Sequence, residues 1–434
     1  MIKQASLTLQ SLLFVLFVFF LSGLLYIRDI GGLDIDKFLL LGIVVVYALL
    51  ADYTHLIMLT AFVLPLTIGL PGNYILPILC ALILIKGGKR MRVPNIIWSV
   101  VLLISIYELI HIFIFASSFE IPTFVGYCSF LFLSFFIGCS SDARSDEYKN
   151  ALSFCIGTVV MLVIIMINFQ QLLGENFLEE SIRMGNVSAY TNEEKMTLKT
   201  NPNNIGLFSI AAISISFALW YYKKIRLLAL ALIVIPSFVC GVYSVSRTWI
   251  LAVMLFGILF LLMRDSRRRF VSILVLLIAI LGIYFFFTRF GSLAFDSFEY
   301  RFDTDNTEMT GKRTLLFYLY NEWLLLNPWA FLTGTGALPY REVTQVYEST
   351  HNSLQQIIVA YGIPGLLFFF YLLYLFLRKW RVPKQRMVYV PIIVVCFFLQ
   401  TVQFLNPYFC AYPFLASLFV IKMKKKDSLS ANTN

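Results

Sequence analysis

The ten residues LLFVLFVFFL at positions 12–21 carry no polar side chain, and they lie inside a largely apolar run over 7–27. In hydrocarbon every backbone N–H and C=O must find its partner inside the protein, so an open run like this is viable there only as a helix. About 20 helical residues cover the ~30 Å apolar thickness of a bilayer. A membrane β-barrel would instead show alternating segments of about ten residues. This run does not alternate, so the fold class it predicts is all-α and polytopic, integral to a membrane. Lys3 precedes the run as a basic residue precedes a secretory leader. The run is long for a leader and lacks a small-residue cleavage site, so it is read as a retained first helix.

Working outward, runs of spanning length recur along the chain and predict about fourteen spans. They fall at 7–27, 38–51, 55–70, 73–85, 95–116, 121–140, 151–173, 203–222, 227–243, 248–263, 270–288, 353–377, 387–405 and 408–421. Composition agrees: 59% of the 434 residues are hydrophobic and 13% charged, with mean hydropathy +0.82. A soluble domain is nearer half apolar and a quarter charged. The formal charge of +10 does not point to nucleic acid, because the basic residues form short clusters at span ends and do not interleave with aromatics. The seven cysteines all fall in apolar spans without C-x-x-C spacing, and they read as small buried hydrophobes.

The basic clusters set the expected orientation. Lys3, Lys86–Arg92, Arg144, Lys149, Lys223–Arg226, Arg264–Arg269, Arg378–Arg386 and Lys422–Lys426 hold about 23 of the 34 basic residues and fall on one side. That side is expected to be cytoplasmic, with both termini. The loops 28–37, 174–200 and 288–350 then face outward. The last is long enough to be the working part of the molecule. Within it, KRTLLFYLYNEWLLLN (312–327) has apolar residues at helical spacing. Leu315, Leu316, Leu319, Trp323 and Leu326 make a stripe, and the helix is expected to lie at the membrane interface. Asn327-Pro328 ends it, and Gly334-Thr335-Gly336 supplies a tight turn.

Basic residues that break the inside rule carry the candidate chemistry. Arg247, in Ser244-Val245-Ser246-Arg247, stands at the outer rim between the ninth and tenth spans. A guanidinium fork there suits a diphosphate, by planarity and fixed charge. Arg313 opens the interfacial helix, and Arg183 precedes Asn201-Pro202-Asn203-Asn204; either can bind an anion. Arg28, Arg289, Arg301 and Arg341 are read as solvated or in contact with headgroups. His351 is the histidine of the outer loop and is expected to begin a helix, sharing a face with Leu354 and Gln355. An imidazole there can take a hydroxyl proton near neutral pH. Glu108 and His111, three apart in the fifth span, read either as a proton relay or as a satisfied intramembrane pair. His55 is given no role. Asp303/Asp305 are read as solvated, and Asp34/Asp36 are kept as a second candidate for a base.

Taken in order, NPNNIG (201–206), SVSR (244–247), Lys312-Arg313 leading to Pro328, GTG (334–336), HNSL (351–354) and GIPG (362–365) resemble the O-antigen polymerase and ligase family (Wzy-like and WaaL-like) of bacterial envelope enzymes. The resemblance covers about residues 200–365; the first half matches only in being apolar spans. It implies a glycosyltransferase-C-like architecture and a glycosyl transfer needing neither metal nor other cofactor. The donor implied is an oligosaccharide carried on undecaprenyl diphosphate, used at the outer face of the bacterial inner membrane. Carried over to this chain, Arg247 and Arg313 hold the diphosphate and His351 positions or deprotonates the acceptor hydroxyl. Arg183, Asn203, Asn352 and Gln355 complete the expected substrate-binding set. Implied partners are membrane lipid, a chain-length regulator and a flippase, and no nucleic acid. The expected division is an N-terminal membrane region (1–200), a ligase/polymerase-like region (201–377, with the loop 289–350) and C-terminal spans with a basic tail (378–434).

Overall fold

The computed structural model of the protein describes residues 2–29, 31–66, 72–88, 93–116, 121–139, 147–173, 202–244, 246–263, 313–346, 350–380, 386–402, 405 and 408–431. Among these, the regular structure is helical, without strand. The helices are α1 (Ile2–Asp29), α2 (Lys37–Leu50), α3 (Tyr53–Val63), α4 (Gly72–Gly88), α5 (Asn95–Phe115), α6 (Ile121–Cys139), α7 (Glu147–Leu173) and α8 (Pro202–Tyr221). There follow α9 (Leu227–Tyr243), α10 (Arg247–Met263), α11 (Arg313–Leu326), α12 (Ala330–Thr333), α13 (Tyr340–Thr344), α14 (Ser353–Trp380), α15 (Val390–Leu399) and α16 (Tyr412–Ala431). Among the described residues, six helices are long and apolar enough to cross a membrane: those at Leu9–Arg28, Asn95–Phe115, Ile121–Cys139, Glu147–Asn168, Pro202–Tyr221 and Ser353–Trp380. Shorter apolar helices occupy the remaining expected positions, except 270–288, which lies outside the described residues together with Arg183, Asp303/Asp305 and 288–312.

The helix α8 is the hub. Its apolar window is 83% buried, against 22% for α1, α5 and α14. Small residues (Gly206, Ser209, Ala211, Ala212, Ser214, Ser216) let its neighbours α7, α9 and α15 come close. The hydroxyls this places in the core are satisfied. Ser214 and Ser216 donate to carbonyls one turn back, at 3.1 and 2.9 Å, and Ser209 donates across to the Ser237 carbonyl of α9 at 2.6 Å. Elsewhere α3 packs on α7, α4 on α6, and α16 on α7 and α8.

Two lysines of the basic clusters do structural work at helix ends. The Lys86 ammonium donates to the Ala48 and Leu49 carbonyls at the end of α2, at 3.2 and 2.9 Å, and that of Lys422 to Ile137 near the end of α6. Terminal carbonyls lack intrahelical partners, and a cation suits the negative end of the helix dipole. His55 is likewise structural: buried, with Nδ1 2.9 Å from Asp52, whose carboxylate also caps α3 through the His55 N–H at 2.8 Å. Asp36, kept as a candidate base, caps α2 by accepting from Phe38 N at 2.6 Å. Arg28, expected to be solvated or in contact with headgroups, is buried in the last turn of α1. The cysteines are free and buried or half-buried, as expected.

Candidate active site

The SVSR turn joins α9 to α10, and its position is fixed by Trp249. The Trp249 indole lies flat over Gly241, where an added Cβ would approach the ring to 2.2 Å. Its Nε1 donates to Ser209 Oγ of α8 at 3.0 Å. Two residues back in the chain, Arg247 is half-buried and opens α10. Its neighbours reach both ways. Ser246 Oγ donates to Asn203 Oδ1 at the start of α8, at 3.1 Å, and Thr248 Oγ1 stands 3.5 Å from Arg313 Nη1. The structure therefore brings Asn203, Arg247 and Arg313 together at one end of the bundle. The basic turns at Lys223–Lys224 and Arg378–Lys379 lie at the other ends of α8 and α14.

The two arginines act on each other. Burial pushes the Arg313 guanidinium below its ordinary value, and the charge of Arg247 pushes it the same way. Both causes penalise the cation, and a bound anion would offset them. Among the described residues no carboxylate pairs with Arg313.

His351 joins this end through the register of α11 against α14. Gln355 Nε2 donates to the Phe317 carbonyl at 2.9 Å and to Asn321 Oδ1 at 3.0 Å. Tyr320 and Leu324 of α11 share a buried cluster with Val359 of α14. The two helices therefore run alongside each other with a constant offset. One turn back, that offset sets Arg313 and His351 at the same end of the pair. A second tether comes from Ser353, whose Oγ bonds the Val402 carbonyl at 2.9 Å and that of Leu399 at 2.5 Å. Beside it, Phe398 packs against Gly206, which Trp249 also approaches.

Two local expectations need correcting. His351 does not begin the helix: α14 starts at Ser353, and Asn352 caps it, with Oδ1 accepting from Gln355 N at 3.0 Å. His351 stands just ahead, at φ +48°, a left-handed conformation rare for a residue with a side chain. The apolar stripe of α11 also splits. Leu316, Tyr320 and Leu324 are buried, whereas Leu315, Leu319 and Leu326 face outward, as does Trp329 beyond Pro328. Position on the helix surface follows α14 and not hydrophobicity alone.

Glu108 and His111 do not form a pair. The Glu108 carboxylate accepts from Ala337 N at 2.8 and 3.0 Å and from Leu338 N at 3.3 Å, while His111 Nδ1 meets the Tyr107 carbonyl of its own helix at 2.9 Å. Those amides belong to the turn after Gly334-Thr335-Gly336, which docks on a break in α14. Gly362 is at φ +67°, and Pro364 has no N–H to give the helix. The carbonyls left over at Val359 and Ala360 accept from Thr335 N and Gly336 N, both at 2.9 Å. Sequence reasoning missed Thr248, Asn321 and this use of Glu108. Thr248 flanks Arg247 and was within reach of the motif, whereas the other two depend on tertiary register.

Compared with known proteins, residues 232–370 match the family model described as O-antigen ligase. The match takes in Arg247, Arg313, the GTG turn and the stretch from His351 to Gly365, and it begins after NPNNIG. No curated protein and no solved structure matches the chain.

Proposed function

We propose, from the O-antigen ligase domain that this chain carries over residues 232–370, that the protein is a polymerase of surface polysaccharide, a capsule or O-antigen. Members of the family are glycosyl-transferring enzymes, and the apolar helices suit an inner-membrane protein. On this reading the donor is an oligosaccharide repeat unit on undecaprenyl diphosphate, used at the outer face, with both termini cytoplasmic. The bond between the sugar's anomeric carbon and the diphosphate oxygen breaks, and the diphosphate leaves with the electron pair. Arg247 and Arg313 stabilise that developing charge, so that no metal is required. His351 takes the proton of the attacking hydroxyl as the new glycosidic bond forms. On this reading Asn203, Asn352 and Gln355 are assigned to substrate binding, and Arg183 to the donor.

The observation that carries this reading is the juxtaposition of two half-buried arginines, with the Arg313 guanidinium held below its ordinary value first by burial and then by the charge of Arg247. Two like charges held together, with no carboxylate on Arg313 among the described residues, suit a polyvalent anion. An apolar cavity of ≈ 690 Å³ between α5, α6, α14 and α16, with Tyr107, Tyr127, Thr333 and Tyr361 among its lining residues, offers room for the hydrocarbon of a lipid carrier.

The second reading, favoured by the description of the matching family, is a ligase that moves a finished glycan to another acceptor. A deletion strain separates the two. Loss of a polymerase leaves single repeat units on the surface, whereas loss of a ligase leaves long chains stranded on the carrier lipid. The second outcome would overturn the polymerase assignment.

A further inference from the structure

We infer that Glu108 is a positioning residue for the transfer reaction: through the Ala337 and Leu338 amides it holds the turn that sets α11, bearing Arg313, against the first part of α14, bearing His351. The inference rests on the reading of those two residues as working groups.

Glu108 is fully buried, on a helix whose apolar window is only 22% buried. A carboxylate is costly inside a span, and packing alone would be served by an apolar side chain. Its oxygens are instead spent on backbone N–H groups of a segment 229 and 230 residues away in sequence. The Tyr361 hydroxyl adds a further bond to the carboxylate and also meets the Tyr127 hydroxyl. The turn is pressed tightly onto α5. A Cβ on Gly336 would fall 2.9 Å from His111 Cβ and 3.2 Å from Glu108 Oε2.

The turn is bonded to α14 and flanked by residues buried with α11. Thr335 N and Gly336 N hold the Val359 and Ala360 carbonyls, at the end of the first part of α14. Ala330 and Tyr340, on either side of the turn, are buried with Tyr320 and Leu324 of α11 and with Val359. A break at Gly362 leaves the first part of α14 without the rest of the helix to brace it. The brace comes from the turn, and the turn is anchored by Glu108.

The test is Glu108→Gln in the purified full-length protein, in lipid nanodiscs. Glutamine keeps the shape but offers one acceptor oxygen, and it turns an N–H₂ toward amides that can only donate. Hydrogen exchange of peptides covering 334–340 should accelerate by about tenfold or more, with exchange in α8 unchanged. With an undecaprenyl-diphosphate oligosaccharide, kcat should fall by about tenfold or more while KM stays within about twofold, because geometry is lost and the arginines remain. Should Glu108→Gln fail to fold, Tyr361→Phe removes only a hydroxyl and should move both readouts the same way, less far. Unchanged exchange of the turn overturns the inference, and so does faster exchange with unaltered kcat. Normal transfer by Arg313→Ala and His351→Asn would instead remove the site reading beneath it, an outcome independent of the exchange data.

Discussion

At the level of single residues, the proposed site depends on groups that the surrounding apolar sequence makes expensive. Arg247 and Arg313 stood out as candidates because a cation at a span end away from the basic clusters calls for a reason. Their proximity was not legible, since 65 residues separate Thr248 from Arg313. If the pair grips a diphosphate by its planar fork, Arg247→Lys should fail nearly as badly as Arg247→Ala, each losing about 100-fold or more in transfer rate. Inorganic pyrophosphate should raise the thermal midpoint of the unaltered protein and not that of Arg247→Ala. Equal midpoints with and without pyrophosphate in the unaltered protein would argue against an anion site. His351 calls for a particular substitution. Its φ of +48° is tolerated by asparagine, so His351→Asn keeps the backbone while removing the imidazole. Transfer should drop by about 10²- to 10⁴-fold with the fold intact by circular dichroism.

At the level of elements, the punctuation was readable only in part. Gly334-Thr335-Gly336 announces a turn in the sequence, whereas the break at Gly362 falls inside the single span expected at 353–377. That each supplies what the other lacks, amides on one side and unclaimed carbonyls on the other, is visible only once both are placed. Gly334→Ala is predicted to be among the most damaging substitutions in this region. It combines φ +73° with a Cβ 2.3 Å from the Ala360 oxygen. A cost on the order of 2–4 kcal/mol follows from strain and overlap together, read as a fall in thermal midpoint. Gly23→Ala, with nothing within 4 Å of the new methyl, should be close to silent in the same assay. The apolar stripe of α11 divides for a similar reason: Leu316, Tyr320 and Leu324 are buried, the last two in a cluster with Val359 of α14.

For the whole molecule, hydrophobic run length was a good guide to helices among the described residues, as expected where lipid leaves the backbone few alternatives. Expected spans such as 95–116, 121–140 and 227–243 correspond to helices Asn95–Phe115, Ile121–Cys139 and Leu227–Tyr243 within a residue or two. Which helix forms the centre was harder to read. Being apolar does not distinguish α8 from α1; its small residues do, once it is known that neighbours crowd them. Orientation is tested by reporter fusions, with a cytoplasmic signal expected after Met263 and a periplasmic one after Leu326. The account as a whole is tested most directly by reconstitution. The purified protein in nanodiscs, supplied only with undecaprenyl-diphosphate oligosaccharide and a chelator, should produce a ladder of lengthening chains, and Arg247→Ala, Arg313→Ala and His351→Asn should each leave the single unit unchanged. A ladder of normal length from all three variants would contradict it.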